Sequence, residues 1–179
     1  GSSPARIATG NDGTIYVTES SVGLVRIYSN NGIMIGSFGV GGALGIAVDD
    51  AGKVFVGSTS DGSVSVFDKK GGLLYKLGSG DGEFRMPSDI SISSSGAVYV
   101  TDSGQNIVKK YSLAGEFITS FGVGQLSFPT GIAVDDAAGE VYVSDHLSDA
   151  VKIFDLQGGY KRYIKGASLW KTNFVRPQG

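Results

Sequence analysis

With 179 residues the chain is long enough for one domain with a real hydrophobic core, and its 29 glycines, sparse charge and short β-branched and aromatic runs point to strands joined by tight turns. The 15 basic and 17 acidic side chains leave a net charge of -2, so no global field would draw nucleic acid or an anionic membrane, and no apolar stretch approaches the ~20 residues that span a bilayer. The absence of cysteine removes disulfide frameworks, thiolate metal sites and cysteine nucleophiles together.

In chain order, the first unit reads as four short strands: "RIATG", "TIYVTES", "LVRIYS" and "IMIGSFG". The second repeats it as "GIAVDD", "KVFVGST", "SVSVFD" and "LLYKLGS", the third as "DISISS", "AVYVTDS", "IVKKYS" and "EFITSFG", and the fourth as "GIAVDD", "EVYVSDH", "AVKIFD" and "YKRYIKG". The aromatics Tyr16, Phe55, Tyr99 and Tyr142 of the second strands are spaced 39, 44 and 43 apart, and Tyr28, Phe67, Tyr111 and Phe154 of the third strands repeat those spacings. Four strands in about 40–45 residues is the period of a propeller blade. Helical repeats are disfavoured, because no segment places apolar residues at i, i+3, i+4 and i+7 over three turns.

The turns keep the same register. "NDG", "DAG", "SSG" and "AAG" join strands one and two, while "NNG", "KKG", "LAG" and "LQG" join strands three and four, each with glycine where a tight hairpin requires positive φ. The expected fold class is therefore all-β, a β-propeller of four-stranded antiparallel blades at about 4–39, 45–79, 87–122 and 129–166 within a single region spanning 4–179.

"FPTGIAVDDAAGEVYVSDHLSDAVKIFDLQG" and "AVYVTDSGQNIVKKYSLAGEFITSFGVG" resemble NHL repeats, a propeller family. The likeness covers nearly the whole chain and is looser in unit one, where Arg6 stands at the expected glycine, and in unit two, whose "VGGALGIAVDD" has a shortened connection without Phe or Pro. The resemblance implies six blades, and four are visible. Residues 167–179, with "NFVRPQG", read as the start of a further blade or as a closing segment. Three explanations stand open: a fragment of a longer propeller, a closed four-blade ring, or ends completed by another chain. Strands such as "IYV" and "VYV" are apolar on both faces, so each blade requires a neighbour on either side.

The sequence offers few groups for chemistry. His146 is the sole histidine, and with no G-x-S-x-G elbow it reads as an exposed loop residue. Some NHL-like propellers are zinc-dependent lyases, which need several histidines, and gluconolactonase-like relatives hold calcium. The paired acids Asp49, Asp50, Asp135 and Asp136 fit Asx-type turns better than a calcium site. "FGVGG" and "GSGDGEF" lack the Lys-Ser/Thr and helix of a phosphate loop and read as inter-blade connections. No catalytic residue, metal site or cofactor is expected. Lys161, Arg162, Lys165, Lys171 and Arg176 interleave with Tyr160, Tyr163, Trp170 and Phe174, a pattern that suits RNA, but the strand-four lysines and arginine read first as guards of an exposed sheet edge.

In a propeller the strand-two-to-three loops and the inter-blade connections share one face. Here they carry Glu19, Arg85, Asp102, Gln105, Asn106, Asp145, His146, Asp149, Trp170 and Arg176, and they vary between units while the opposite turns are uniform. The reading is a non-catalytic scaffold or interaction module that offers this face to a protein or saccharide partner. A lyase or lactonase fragment with ligands in other blades, and a subunit that assembles with copies of itself through its blade ends, are the alternatives. In its low charge, abundant glycine and serine and lack of cysteine the chain resembles the extracytoplasmic or scaffolding NHL domains of bacteria, and that resemblance implies an extracellular or periplasmic setting over the cytoplasm.

Overall fold

The computed structural model describes residues 3–165. Sixteen strands form four antiparallel sheets, each in sequential order. Sheet one contains β1 (Arg6–Thr9), β2 (Ile15–Glu19), β3 (Leu24–Tyr28) and β4 (Met34–Gly39); sheet two contains β5 (Ala43–Val48), β6 (Val54–Ser58), β7 (Ser63–Phe67) and β8 (Leu73–Lys76). Sheet three contains β9 (Pro87–Ile92), β10 (Ala97–Asp102), β11 (Ile107–Ser112) and β12 (Phe117–Phe121); sheet four contains β13 (Pro129–Asp135), β14 (Glu140–Asp145), β15 (Ala150–Asp155) and β16 (Tyr160–Ile164). These are the blades expected from the repeat. One 3-10 turn, His146–Ser148, interrupts the strand pattern.

Strand alternation gives each blade two faces, and blade-to-blade contact buries them. Tyr16, Val25 and Ile27 of blade one pack with Ala43, Ile46, Val54 and Val56 of blade two. Phe55, Val64 and Val66 turn the opposite way to meet Ile90, Val98, Val100 and Tyr111 of blade three, and Tyr99, Val108 and Phe121 meet Val141, Val143 and Phe154 of blade four. Burying each of these side chains contributes about 1.5–3 kcal/mol before chain entropy is counted. The core is thus three inter-blade layers. β6 and β10 are buried along their whole length for this reason.

A hydrogen bond repeats across the layers. The Tyr16 hydroxyl donates to the Lys69 carbonyl at 3.2 Å, the Tyr99 hydroxyl to the Leu156 carbonyl at 2.9 Å, and the Tyr75 hydroxyl to the Leu113 carbonyl. Lys69, Leu113 and Leu156 hold the same place in successive strand-three-to-four turns, so each blade latches onto the next blade's turn. Blade two has Phe55 where blades one and three have Tyr16 and Tyr99, and Tyr75 on β8 supplies its hydroxyl instead.

The two end faces lack this partner among the described residues. On blade one, Ile7, Val17, Ile15, Tyr28 and Leu24 lie on the side away from blade two, and Ile7 is 66% exposed. On blade four, Ala133, Tyr142, Val151 and Ile164 face away from blade three. Tyr142 occupies the latch position, and its hydroxyl donates to Glu140 of its own strand at 2.7 Å. No tyrosine hydroxyl among the described residues reaches the equivalent carbonyl of Asn30.

Each outer strand carries a β-bulge at one equivalent position, where Ile35, Leu74, Ile118 and Lys161 are skipped in the pairing. Lys161 and Arg162 lie on the exposed edge strand as expected, and they also converge on Glu140, with Arg162 donating bidentately at 2.6 and 2.9 Å. Arg162, then Lys161 and Tyr142, hold the Glu140 carboxyl well below the usual range.

All eight hairpin glycines have positive φ, from 65 to 91°. Gly71 has a second constraint, because a Cβ there would meet the Phe38 ring of blade one at 2.5 Å, whereas Gly32 has open space around it. Gly32→Ala is expected to cost about 1–2 kcal/mol for the left-handed backbone, and Gly71→Ala roughly 1–3 kcal/mol more for the inter-blade clash. Urea melts of the two variants check the difference.

Candidate interaction face

The residue that ends strand two, Glu19, Ser58, Asp102 or Asp145, sits where the strand meets the loop face. Asp102 is fully buried. Its carboxylate accepts from the amides of Arg85 (3.0 Å), Met86 (2.9 Å) and Gly104 (3.2 Å) and from Gln105 Nε2 (2.6 Å), so it fastens the inter-blade connection to the strand-two-to-three loop. Asp145, also fully buried, accepts from the Ser127 amide at 2.7 Å, and its second oxygen faces Lys152 Nζ at 3.8 Å. Glu19 is buried beside Arg26 at 2.8 Å. In blade two the shortened connection leaves no such amides to gather, and the Ser58 hydroxyl donates to the Gly41 carbonyl at 2.7 Å.

These placements divide the ten residues singled out by sequence. Asp102, Asp145 and Glu19 lie beneath the surface: Asp102 is engaged through both oxygens by the loops, Asp145 through one by the Ser127 amide, and Glu19 by Arg26. Arg85, Asn106 and Asp149 are exposed, while Gln105 and His146 are half-buried. Asn106 and Asp149 hold φ of 59 and 49°, a left-handed turn that short polar side chains tolerate. Asn106 also accepts from the Phe128 amide at 2.7 Å. Trp170 and Arg176 lie outside the described residues, as does the 167–179 segment.

His146 is less open than an exposed loop residue. Its ring lies 6.0 Å from that of Phe128, its amide donates to the Phe128 carbonyl at 3.1 Å, and its Nδ1 is buried without a protein partner. Of the paired acids, the first of each serves its own turn, Asp49 accepting from the Lys53 amide at 2.8 Å and Asp135 from the Ala138 amide at 2.9 Å, whereas the second reaches the neighbouring blade, Asp50 accepting from Asn11 Nδ2 at 3.1 Å and Asp136 from the Ser94 amide at 2.7 Å. Among the described residues no group of three His, Cys, Asp or Glu side chains is placed to hold a metal ion.

Glu83, in the connection "GSGDGEF", belongs to no motif that would single it out in the sequence. Its carboxylate accepts from the Tyr111 hydroxyl at 2.7 Å, from Ser79 and from Lys109 at 3.2 Å, and Lys109 also lies 4.9 Å over the Phe84 ring. Burial pushes the Glu83 carboxyl upward, but the Ser79, Tyr111 and Lys109 bonds outweigh it and bring it down to about 2. The only sequence signal was an acid within reach of two polar residues on a neighbouring strand, which spacing alone does not reveal.

Residues 37–133 match the 6-bladed beta-propeller family. The chain belongs to this family. The NHL reading holds as well: the chain is 27% identical over 155 residues to Protein brain tumor of Drosophila melanogaster, and 30% identical over 108 residues to E3 ubiquitin-protein ligase NHLRC1 of Homo sapiens, both NHL-repeat proteins. These alignments take in 81% and 59% of this chain but 15% and 27% of the relatives, so this propeller region spans a small part of each. A catalytically inactive virginiamycin B lyase from Staphylococcus aureus with Quinupristin superposes with a TM-score of 0.80 at 16% identity, over 99% of this chain and 59% of the lyase. A chain of a Nidogen/Laminin complex gives 0.76 at 17% identity, over 90% and 63%. At those identities the likeness is one of fold. No helix among the propeller's described residues is long and apolar enough to cross a membrane.

Because Glu83 titrates near 2 when folded and near 4.5 when free, its stabilisation is fully present above pH 4.5 and is lost as pH falls toward 2. That difference corresponds to about 3 kcal/mol at most. Glu83→Gln is expected to lower stability at pH 7 by about 1–3 kcal/mol and to flatten the fall between pH 5 and 2, measured by urea melts across that range.

Proposed function

We propose that this NHL-type propeller region is a protein-interaction module that presents its loop face to a partner and does no chemistry on it. The observation that carries this reading is the separation of anchors from surface. Asp102 and Asp145 hold the connections from below, and Arg85, Gln105, Asn106, His146 and Asp149 are left above them in fixed loops. A surface ordered before contact loses less conformational entropy on binding. Its mixture of cation, carboxylate and amide suits a polypeptide with both charge signs, with a saccharide as the second ligand class. The NHL-repeat relatives support the reading; the ligase activity in the human relative's name concerns a protein of which this chain spans 27%, and it is not carried over.

The combined Arg85→Ala, His146→Ala and Asp149→Ala variant is expected to lose partner binding by about ten-fold or more, scored by quantitative crosslinking of the parent and variant proteins. A control on the opposite face, Lys70→Ala with Gln157→Ala, keeps it. Equal capture by the loop-face variant would overturn the assignment.

A second reading, assembly through the blade ends, is favoured by one specific match: among the described residues Tyr142 holds the latch position but donates to Glu140 and not to a turn carbonyl, and the Asn30 turn carbonyl receives no latch donor. Absolute mass by light scattering across a concentration series tests it. Mass that grows with concentration, and grows less in Tyr142→Phe, supports end-to-end assembly; a monomer at every concentration counts against it.

A further inference from the structure

Arg6, Gly45, Asp89 and Gly131 hold one equivalent place, the residue before the isoleucine of each innermost strand, Ile7, Ile46, Ile90 and Ile132. Two of the four are charged. Gly45 has no room for a side chain, because a Cβ there would lie 2.9 Å from the backbone of Asp89. Arg6 and Asp89 therefore depart from glycine at the point where the four blades converge.

An innermost strand is also an edge strand, with backbone groups that no neighbouring strand pairs. On β13 these groups are met by side chains of other blades. Arg6 Nη2 donates to the Thr130 carbonyl at 2.8 Å, the Ile132 amide donates to Asp89 Oδ2 at 2.9 Å, and the Val134 amide donates to Ser91 Oγ at 3.2 Å. Arg6 Nη1 donates to the Ala5 carbonyl at 3.2 Å, and Nε faces Asp89 Oδ1 at 3.8 Å. One guanidinium thus connects blade one to blade three by charge and to blade four by a hydrogen bond that spans 124 residues of sequence. Both side chains are mostly buried, at 22% and 16% exposed, where charge pairs are weakly screened. Burial pushes the Asp89 carboxyl up, against the opposing pull of the Ile132 amide and Arg6.

On either side of this contact lie the two end faces, free in that no other described blade covers them. A cleft lined by Arg6, Ile7, Val17, Tyr28 and Asp89 opens on the blade-one side, and one lined by Asp89, Ala133, Tyr142 and Val151 on the blade-four side. Among the described residues blades one and four share no sheet pairing. We propose that Arg6, seated between Asp89 and the Thr130 carbonyl, is an axial tie that sets the spacing of the free faces of blades one and four. The spacing of whatever those faces receive is then governed from the axis and not from the rim.

The lack of cysteine makes the test clean. Spin labels at Ser37→Cys on blade one and Gln157→Cys on blade four report the spacing as a distance distribution in the 179-residue chain, and Ala114→Cys with Gln157→Cys reports the neighbouring blades three and four as a control. Arg6→Gly, which installs the residue found at positions 45 and 131, is expected to shift the first distribution to longer distance and broaden it while the control pair holds. An unchanged first distribution in a folded Arg6→Gly protein overturns the tie, as does an equal shift in both pairs, which would signal general loosening. Should Arg6→Gly not fold, Arg6→Lys is read the same way: it keeps the charge but does not reproduce the planar fork that reaches the Ala5 and Thr130 carbonyls together, so a selective shift supports the tie and an unchanged distribution overturns it.

Discussion

Everything in this chain depends on one blade lying against the next. A four-stranded sheet with apolar residues on both faces cannot keep them from water alone, and the only surface of matching twist and spacing is another such sheet. The three apolar layers of the protein are accordingly made between blades, not inside them. The tyrosine-to-turn hydrogen bonds add direction to what burial leaves non-directional. They fix the height at which one blade meets the next, so that loops collect at one end of the stack and hairpins at the other.

That ordering produces the contrast between the two ends. The hairpin end is made of turns whose glycines and Asx contacts leave little freedom of design. At the loop end, connections of different length must be held without a sheet of their own, and buried carboxylates gather their amides. A carboxylate taken out of water requires several donors, and Asp102 finds four. The same demand explains why Asp102, which read as a surface ligand, lies fully buried beneath the face.

Much of the fold was legible in the sequence because a repeat states its rules several times. The 39, 44 and 43 spacings of Tyr16, Phe55, Tyr99 and Tyr142, together with the turn glycines, located the strands and their order. The site was less legible. Burial of Asp102 and Asp145 depends on where an inter-blade connection crosses strand two, which periodicity does not encode. The partial burial of His146 is not legible in the sequence, because Phe128, 18 residues earlier, comes beside its ring only in the fold. Arg6 was visible as a departure from glycine, but Asp89 is the same departure in unit three, and only superposing all four units on that column would have paired them.

The bulges at Ile35, Leu74, Ile118 and Lys161 separate two properties of the rim that usually travel together. Sheets grow by adding strands to a flat, regular edge, and a skipped residue twists that edge out of register with any newcomer. Three of the four bulge residues are nevertheless apolar and exposed. Stickiness at the circumference is thereby uncoupled from templating: a molecule that touches these side chains meets a greasy stud and not a strand to copy, so crowding of many such propellers would give reversible clustering in place of fibres.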